Sequence, residues 1–504
     1  MPLLVDLRPR RRLAAVACLI PACAAACVSA PPRRTGRAPS APAEPSAEWT
    51  PPAAAGAPFT PRERRLAMRE AEIAPETAER MGSLTLADVL DVALGNSPVT
   101  RTSWAQARAA AATVGSARGQ YVPEVNLNVV GGPSRVVSAN PARVPPERRT
   151  VTPLLSLQYL LVDFGARGGS NAAAREALYA ADLTHNATLQ NVVLEAEQAY
   201  FSYQAGRGLV DAARGAVETA QANLAAAERR HEVGLATIAD VLQTRTALAQ
   251  AELALQDADG NVQAARAQLA LAMGLDANAS FEVAPDTGSA PVHELAASVD
   301  SLVAHALRDR PDVAAARALA RQSDAQVRIA RSATLPSLNF GATAGRSYSN
   351  IPTVEGGTYA LTFGLSVPLF SGLSRQYDVV VAKEDAAAAA ARAERLRLEA
   401  VAQVFTSYHA LRTATRRVAT SRELLASATR SEEVARGRYG EGVGTVLDLL
   451  TAQTALADAR AQAVLARWSW SASLAQLSRD TGVLGPNGET RLPLTPETAP
   501  RPER

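Results

Sequence analysis

The chain has 504 residues, of which 47% are apolar and 20% are charged, and its formal net charge is +3. This length allows two to four domains, and the apolar share is enough for a large core. We expect the opening segment to be removed, and it carries the whole excess of positive charge: Arg8, Arg10, Arg11 and Arg12 less Asp6. The mature chain is then nearly neutral, which gives no support to a nucleic-acid partner.

Residues 1–27 have the layout of a bacterial export signal. A basic stretch, RPRRR, precedes an apolar run at residues 13–26 that ends in small residues. The stretch AAAC at residues 24–27 loosely resembles the bacterial lipoprotein signal, so the alternatives are a lipid anchor on Cys27 or ordinary cleavage nearby. In either case the exported protein relies on no disulfide, because all the cysteines lie in this segment: Cys18, Cys23 and Cys27.

Two terminal segments are predicted to lie outside the folded body. Residues 28–80 are rich in Pro, Ala and Arg, and residues 485–504 contain five prolines. Such composition cannot pack a core and is typical of tethers. The structured body is therefore expected between them.

The body consists of two related halves. At an offset of 213, residues 93–129 align with residues 306–342, and further along the chain the offset becomes 208. We predict a first repeat at 81–275, a linker at 276–298 and a second repeat at 299–484. Each half shows the same order: helix, two strands, a long helix, a Gly-containing turn and a returning helix.

Each half has a pair of amphipathic strands. In YVPEVNLNV, at residues 121–129, apolar and polar residues alternate with a period of two, and SLNFGATAG at 337–345 repeats this pattern. The partner strands are predicted around 155–162 and 359–370. A pair of hairpins in a soluble sheet would show the same alternation, so the strands must be interpreted with the helices beside them.

Those helices are very long. Residues 169–231 and 375–439 contain no proline, and each stretch would form a rod of roughly 90 Å. Such a rod exceeds the dimensions of a compact domain of this size. Returning helices are predicted at about 238–273 and 446–478.

A four-stranded sheet cannot by itself be complete in a membrane, because unpaired edge groups in hydrocarbon are costly. A barrel would have to close between chains, and three chains would supply about twelve strands around a water-filled lumen. The predicted lumen residues are Asn126, Asn128, Asn339 and Thr343.

The turns that join the long and returning helices share a motif. HEVGLATIADVL begins at His231, and YGEGVGTVLDLL begins at Tyr439, 208 residues later. The aligned turn residues are Gly234 with Gly442, Thr237 with Thr445, and Asp240 with Asp448, and the second turn also contains Gly444.

With these paired turns, the chain from about residue 84 to 484 resembles the TolC family of outer-membrane efflux proteins. The resemblance implies an α+β membrane protein: a homotrimer with a twelve-stranded β-barrel in the lipid of a Gram-negative outer membrane, continued by a helical tunnel across the periplasm. It also implies an inner-membrane transporter and a periplasmic adaptor as partners, and passive conduction without cofactor or catalysis. The cargo, whether drug, metal or protein toxin, stays open.

The resemblance also predicts that these two turns, which are the tips of the two helical hairpins, form the periplasmic entrance of the tunnel. The family links neighbouring tips through an Asp, here Asp240, and through a Tyr, here Tyr439, together with an Arg whose place is taken by Gly444. Either Arg438 or Arg245 substitutes for that arginine, or the entrance is held less tightly. Asp448 matches an acidic ring of the tunnel, and Thr451 stands where a second acidic residue would be. For Asp240 and Asp448 the alternative is a carboxylate that caps the first turn of a helix.

Two other classes of protein fit the sequence less well. An exported periplasmic coiled-coil scaffold or adaptor would explain the rods and the signal, but not amphipathic strands at equivalent places in both halves. An enzyme has less support, because the five histidines lack metal-ligand spacing. GEGVGT at residues 440–445 follows a helix and lacks the ending of a phosphate-binding loop.

Overall fold

The computed structural model describes residues 46–47, 81–135, 146–285, 294–295, 297–485 and 494–495. The predicted export signal with Cys27 lies outside the described residues, as do most of the predicted tether and of the tail.

The described residues contain two sets of four helices, one set after the other along the chain. The helices of each half are 11, 22, 67 and 35 residues long in the same order. At 1.5 Å per residue, each 67-residue helix is a rod of roughly 100 Å. In chain order they are α1 Leu86–Asn96, α2 Pro98–Gly119, α3 Ala166–Glu232, α4 Ile238–Ala272, α5 Val299–Asp309, α6 Pro311–Ser332, α7 Ser374–Gly440 and α8 Val446–Asp480.

Local sequence accounts for where these helices begin. α4 and α8 each start with a capping box, in which the N-cap threonine and the aspartate three residues later bond each other's backbone N–H groups. α1 has the same arrangement at Thr85 and Asp88. α2 and α6 begin with Pro98 and Pro311, whose missing N–H is not needed in the first turn. The predicted starts of α4 and α8 agree with the structure.

Among the described residues the strands are β1 Glu124–Ser134, β2 Arg148–Val162, β3 Glu294–Leu295, β4 Ser337–Ser349, β5 Gly356–Ser366 and β6 Leu494–Thr495. Four of them form an antiparallel sheet of order β1-β2-β4-β5, and β3 pairs with β6. The two hairpins of the larger sheet therefore meet through β2 and β4. A short 3-10 helix at Pro352–Val354 lies between β4 and β5.

The strand ends differ from the sequence prediction. β2 begins at Arg148, seven residues before the predicted start, because Arg148 pairs with Ser134 and extends the first hairpin. Pro133 is accommodated because β1 is an edge strand of the sheet, where its missing N–H leaves no partner unsatisfied. β5 ends at Ser366, which pairs with the first residue of β4, and the residues that follow have no partner strand.

The register separates the sheet into two faces. One row across the sheet places Val125, Leu157, Ala342 and Leu361 side by side. The neighbouring row, on the opposite face, contains Asn126, Ser156, Thr343 and Ala360. The apolar face is exposed in the single chain, with Leu361 at 69% and Phe363 at 73% exposure.

The main hydrophobic core lies midway along the rods. It joins α1 to the middle of α3 and to the end of α4, with Leu90, Val193 and Leu269 almost fully buried. A second cluster packs α5, α7 and α8 around Val404 and Trp470. Both clusters lie where the short helices cover the long ones.

No helix among the described residues is both long enough and apolar enough to span a membrane.

Candidate functional site

The candidate entrance consists of the turns that join α3 to α4 and α7 to α8. Gly234 and Gly442 have φ values of +76° and +74°, in the left-handed region that glycine adopts without strain. In the first turn, Leu235 and Ala236 donate their N–H groups to the carbonyl of Arg230. In the second, Val443 and Gly444 donate theirs to the carbonyl of Arg438.

The two tip aspartates are engaged within their own turns. The Thr237 N–H and hydroxyl donate to Asp240 Oδ2 at 2.8 and 2.9 Å, and the Thr445 N–H donates to Asp448 Oδ2 at 3.2 Å. Hydrogen bonds from Thr445, together with the nearby charge of Arg438, hold the pKa of Asp448 below its ordinary value. Both carboxylates therefore cap helices in this structure, the alternative that the sequence left open.

Tyr439 contacts Arg230, a residue for which the sequence predicts no role at the entrance. Arg230 Nη1 donates to the Tyr439 carbonyl oxygen at 2.9 Å, and its guanidinium lies 4.7 Å from the centroid of the Tyr439 ring. Arg245 instead pairs with Glu228 on its own hairpin. The signal that could have identified Arg230 is its position four residues before Gly234, which Arg438 repeats before Gly442.

The other predicted entrance residues lie nearby without joining this contact. Thr451 is exposed, and its hydroxyl donates to the carbonyl of Leu447 within α8. At Gly444 a Cβ would lie 3.1 Å from the Cβ of Arg438, so the turn would have to shift by a few tenths of an ångström to accept a side chain.

A second polar layer joins the hairpins above the tips. Asn223 Nδ2 donates to Gln453 Oε1 at 2.6 Å, linking α3 to α8. Gln453 in turn donates to Glu432, a buried carboxylate on α7 that also pairs with Arg436. The two hairpins of one chain are thus joined at two levels close to the entrance.

The tips also expose apolar side chains. An exposed apolar cluster of this kind commonly marks a protein interaction surface. These side chains are 53% to 72% exposed: Val233, Leu235, Ile238 and Leu242 on the first tip, and Val443 and Leu447 on the second.

Far from the candidate entrance, α3 buries two carboxylic acids and a histidine. Both carboxylate oxygens of Asp182 are buried without a hydrogen-bond partner, and burial raises its pKa to about 8. Burial likewise raises the pKa of Glu197 to about 7. His185 contacts the Ser103 hydroxyl at 2.8 Å and the Ala47 carbonyl at 3.2 Å, and burial lowers its pKa.

The chain is similar to known outer-membrane proteins. A profile of the outer membrane efflux protein family matches residues 89–275 and 302–483. Protein CyaE of Bordetella pertussis is 31% identical over 398 residues, 78% of this chain and 82% of CyaE. Outer membrane protein OprJ of Pseudomonas aeruginosa is 26% identical over 377 residues, 72% of this chain and 77% of OprJ.

Solved structures share the fold. The outer membrane protein VceC of Vibrio cholerae superposes with a TM-score of 0.70 at 21% identity, covering 79% of this chain and 96% of VceC. The open-state MtrE outer membrane channel of Neisseria gonorrhoeae gives a TM-score of 0.68 at 20% identity, covering 79% of this chain and 88% of MtrE. The chain therefore belongs to the outer membrane efflux protein family, which confirms the predicted TolC-family resemblance, and it is an outer-membrane efflux or secretion channel.

Proposed function

We propose that three copies of the chain close their sheets into one twelve-stranded barrel in the outer membrane of a Gram-negative bacterium. The observation that carries this proposal is the four-stranded sheet with β1 and β5 as its edges and with its apolar face exposed. Unpaired edges are unfavourable in lipid, whereas closure between chains pairs each β1 with a neighbouring β5. The polar row that includes Asn126 and Thr343 would then face the lumen.

The helices would continue the barrel as a tunnel across the periplasm. Rods of roughly 100 Å would carry the tips far from the membrane, and the apolar side chains exposed there offer a surface to a periplasmic adaptor. An inner-membrane transporter would supply the substrate and the energy, while the channel conducts passively. In this arrangement the predicted segments 81–275 and 299–484 are equivalent halves around the tunnel, joined by the linker 276–298.

The topology is testable with an epitope at Pro352, in the β4–β5 connection at the end of the sheet away from the rods. Antibody should label it on intact cells, because that connection would face the exterior. A matched epitope at Gly234, on the first tip, should be labelled only after the outer membrane is permeabilised. Labelling of Pro352 only after permeabilisation would contradict the proposal.

Two further parts of the proposal concern single residues. Three copies of Asp448 on the threefold axis would form a ring that attracts cations, since carboxylates at close quarters are weakly screened. Asp448→Asn should then weaken the block of channel current by cobalt hexammine added on the periplasmic side of a planar bilayer, and an unchanged block would refute the ring.

Cys27 is the proposed lipid attachment site. Cys27→Ser should abolish palmitate labelling of the mature protein, and labelling that persists would refute this assignment.

A further inference from the structure

The apolar face of the four-stranded sheet changes in character at the end away from the rods. Its rows run from Leu361 to the pair of Ala344 and Tyr359, and Tyr359 is 86% exposed. Beyond Ala344, the same face of β4 presents Arg346 and then Tyr348, since every second residue of a strand lies on one face. The face that is apolar near the rods therefore ends in two tyrosines and an arginine.

The position of these side chains fits the outer edge of a membrane. From Leu338 to Tyr348 the strand rises by roughly 33 Å, which is about 25 Å in height at the tilt of barrel strands. That is the height of the apolar band of an outer-membrane barrel, and aromatic residues mark both of its edges. A lipid-facing arginine costs roughly 2–4 kcal/mol at the bilayer centre but about 0–1 kcal/mol near the edge, so Arg346 lies where this face tolerates a charge.

The charge of Arg346 is not neutralised within the described part of the chain. Its guanidinium lies 5.4 Å from the centroid of the Tyr348 ring, and no carboxylate of the described residues forms an ion pair with it. Arg149, on the same face, is paired with Glu147 at 2.8 Å. Glu355 accepts from a backbone N–H of β4. Arg346 is thus the arginine of this edge that has a charge to offer to a ligand.

The space beside Arg346 is open to a ligand. Arg346 pairs with Gly357 on β5, and a Cβ on Gly357 would meet only the Gly345 carbonyl oxygen, at 3.9 Å. Tyr348 lies above this opening along β4, and Tyr359 lies diagonally below it on β5. We call this opening the Arg346 notch. A guanidinium binds phosphate through two parallel hydrogen bonds, and tyrosine hydroxyls can donate others.

We propose that the Arg346 notch binds a phosphate of the glycolipid that forms the outer leaflet of the outer membrane. This inference rests on the proposed function, which places this end of the sheet at the exterior. Closure of the trimer would not neutralise the notch, because the outward residues of the neighbouring β1 carry no charge: Val125, Leu127, Val129, Gly131 and Pro133. A buried apolar partner would not match an arginine, whereas the phosphorylated sugars of that leaflet supply the complementary charge.

The experiment is native mass spectrometry of the purified, delipidated full-length trimer, titrated with lipid A, the phosphorylated part of the outer-leaflet glycolipid. Arg346→Gln should weaken binding about tenfold, equivalent to about 1.4 kcal/mol. Arg148→Gln is the matched control, because Arg148 lies at the same end of the sheet but on the opposite face, and it should bind as the wild type does. Lipid A without phosphates should bind equally weakly to the wild type and to Arg346→Gln.

Three results would overturn the inference. They are unchanged binding in an assembled Arg346→Gln trimer, an equal loss in Arg148→Gln, and wild-type binding of phosphatidylglycerol as tight as that of lipid A, which would indicate a general attraction of anionic lipid. If Arg346→Gln fails to assemble, the wild type provides the test, since equal affinity for lipid A with and without phosphates would also overturn it. Failure of the wild-type chain to form a trimer in outer membranes would instead refute the proposed function.

Discussion

The two 67-residue helices of this chain have the same length but different surroundings. α3 packs against α1, α2, α4, α6 and α8, and its buried positions extend from residue 167 to residue 227. The buried positions of α7 are confined to residues 400–432. Equal helices in equivalent places can thus serve as the interior of one chain or as its edge. In the proposed trimer, another copy would pack against the part of α7 that precedes residue 400, where no position is buried in the single chain.

The largest expected effect is a loss of trimer assembly, caused by a substitution on the exposed sheet face of the second half. Leu361→Arg would place a charge on the surface proposed to face lipid, at a cost of roughly 2–4 kcal/mol per chain near the bilayer centre. Heat-modifiable trimer in outer membranes should be lost. Ala360→Arg, on the opposite face of the same strand, is the matched control and should still assemble; equal loss in both variants would mean that the two faces are not distinct.

A smaller effect is expected from truncating one leucine on each long helix. Leu178 on α3 is fully buried, so Leu178→Ala should lower the free energy of unfolding of the chain by about 2–5 kcal/mol. Leu398 on α7 is 54% exposed, and Leu398→Ala should lower it by less than about 0.5 kcal/mol. Urea unfolding of the detergent-solubilised monomer, followed by circular dichroism, measures both values, and similar losses would remove the contrast between the helices.

The burial of side chains on α3 also predicts that the free energy of unfolding depends on pH. In the folded chain Asp182 has a pKa of about 8 against an ordinary value of 3.8, so the folded state holds a proton that the unfolded state releases. The stability associated with this group is present below pH 4 and is lost as the pH rises towards 8. Asp182→Asn should remove this loss, which is on the order of a few kcal/mol.

Urea unfolding at pH 5 and at pH 8 measures the Asp182 effect. Asp211→Asn, an exposed aspartate on the same helix, is the control and should keep the wild-type pH dependence. A wild-type chain whose free energy of unfolding does not fall between these two pH values would contradict the burial of an unpaired carboxylate on α3.

The sequence predicts most of the helical architecture because its signals are local. Thr237 with Asp240 and Thr445 with Asp448 lie within one turn of each other, so the starts of α4 and α8 follow from adjacent residues. Strand ends depend on partners far away in the chain, and the extension of β2 to Arg148 follows only from its pairing with Ser134. The same local motif predicts the two glycine turns, but it does not predict the contact between Arg230 and Tyr439 that joins them.

The amino-acid sequence by itself determined the periodicity of the strands, the proline-free lengths of the rods, the glycine turns and the family. Only the tertiary structure decided that Arg230, rather than Arg438 or Arg245, reaches Tyr439. Arg230 and Arg438 each lie four residues before a tip glycine, and Arg245 lies eleven residues after one, so chain position does not predict which of them reaches Tyr439. Their roles differ because the packing of α3 against α8 brings only Arg230 to the end of α7, and that packing depends on contacts between residues more than two hundred positions apart.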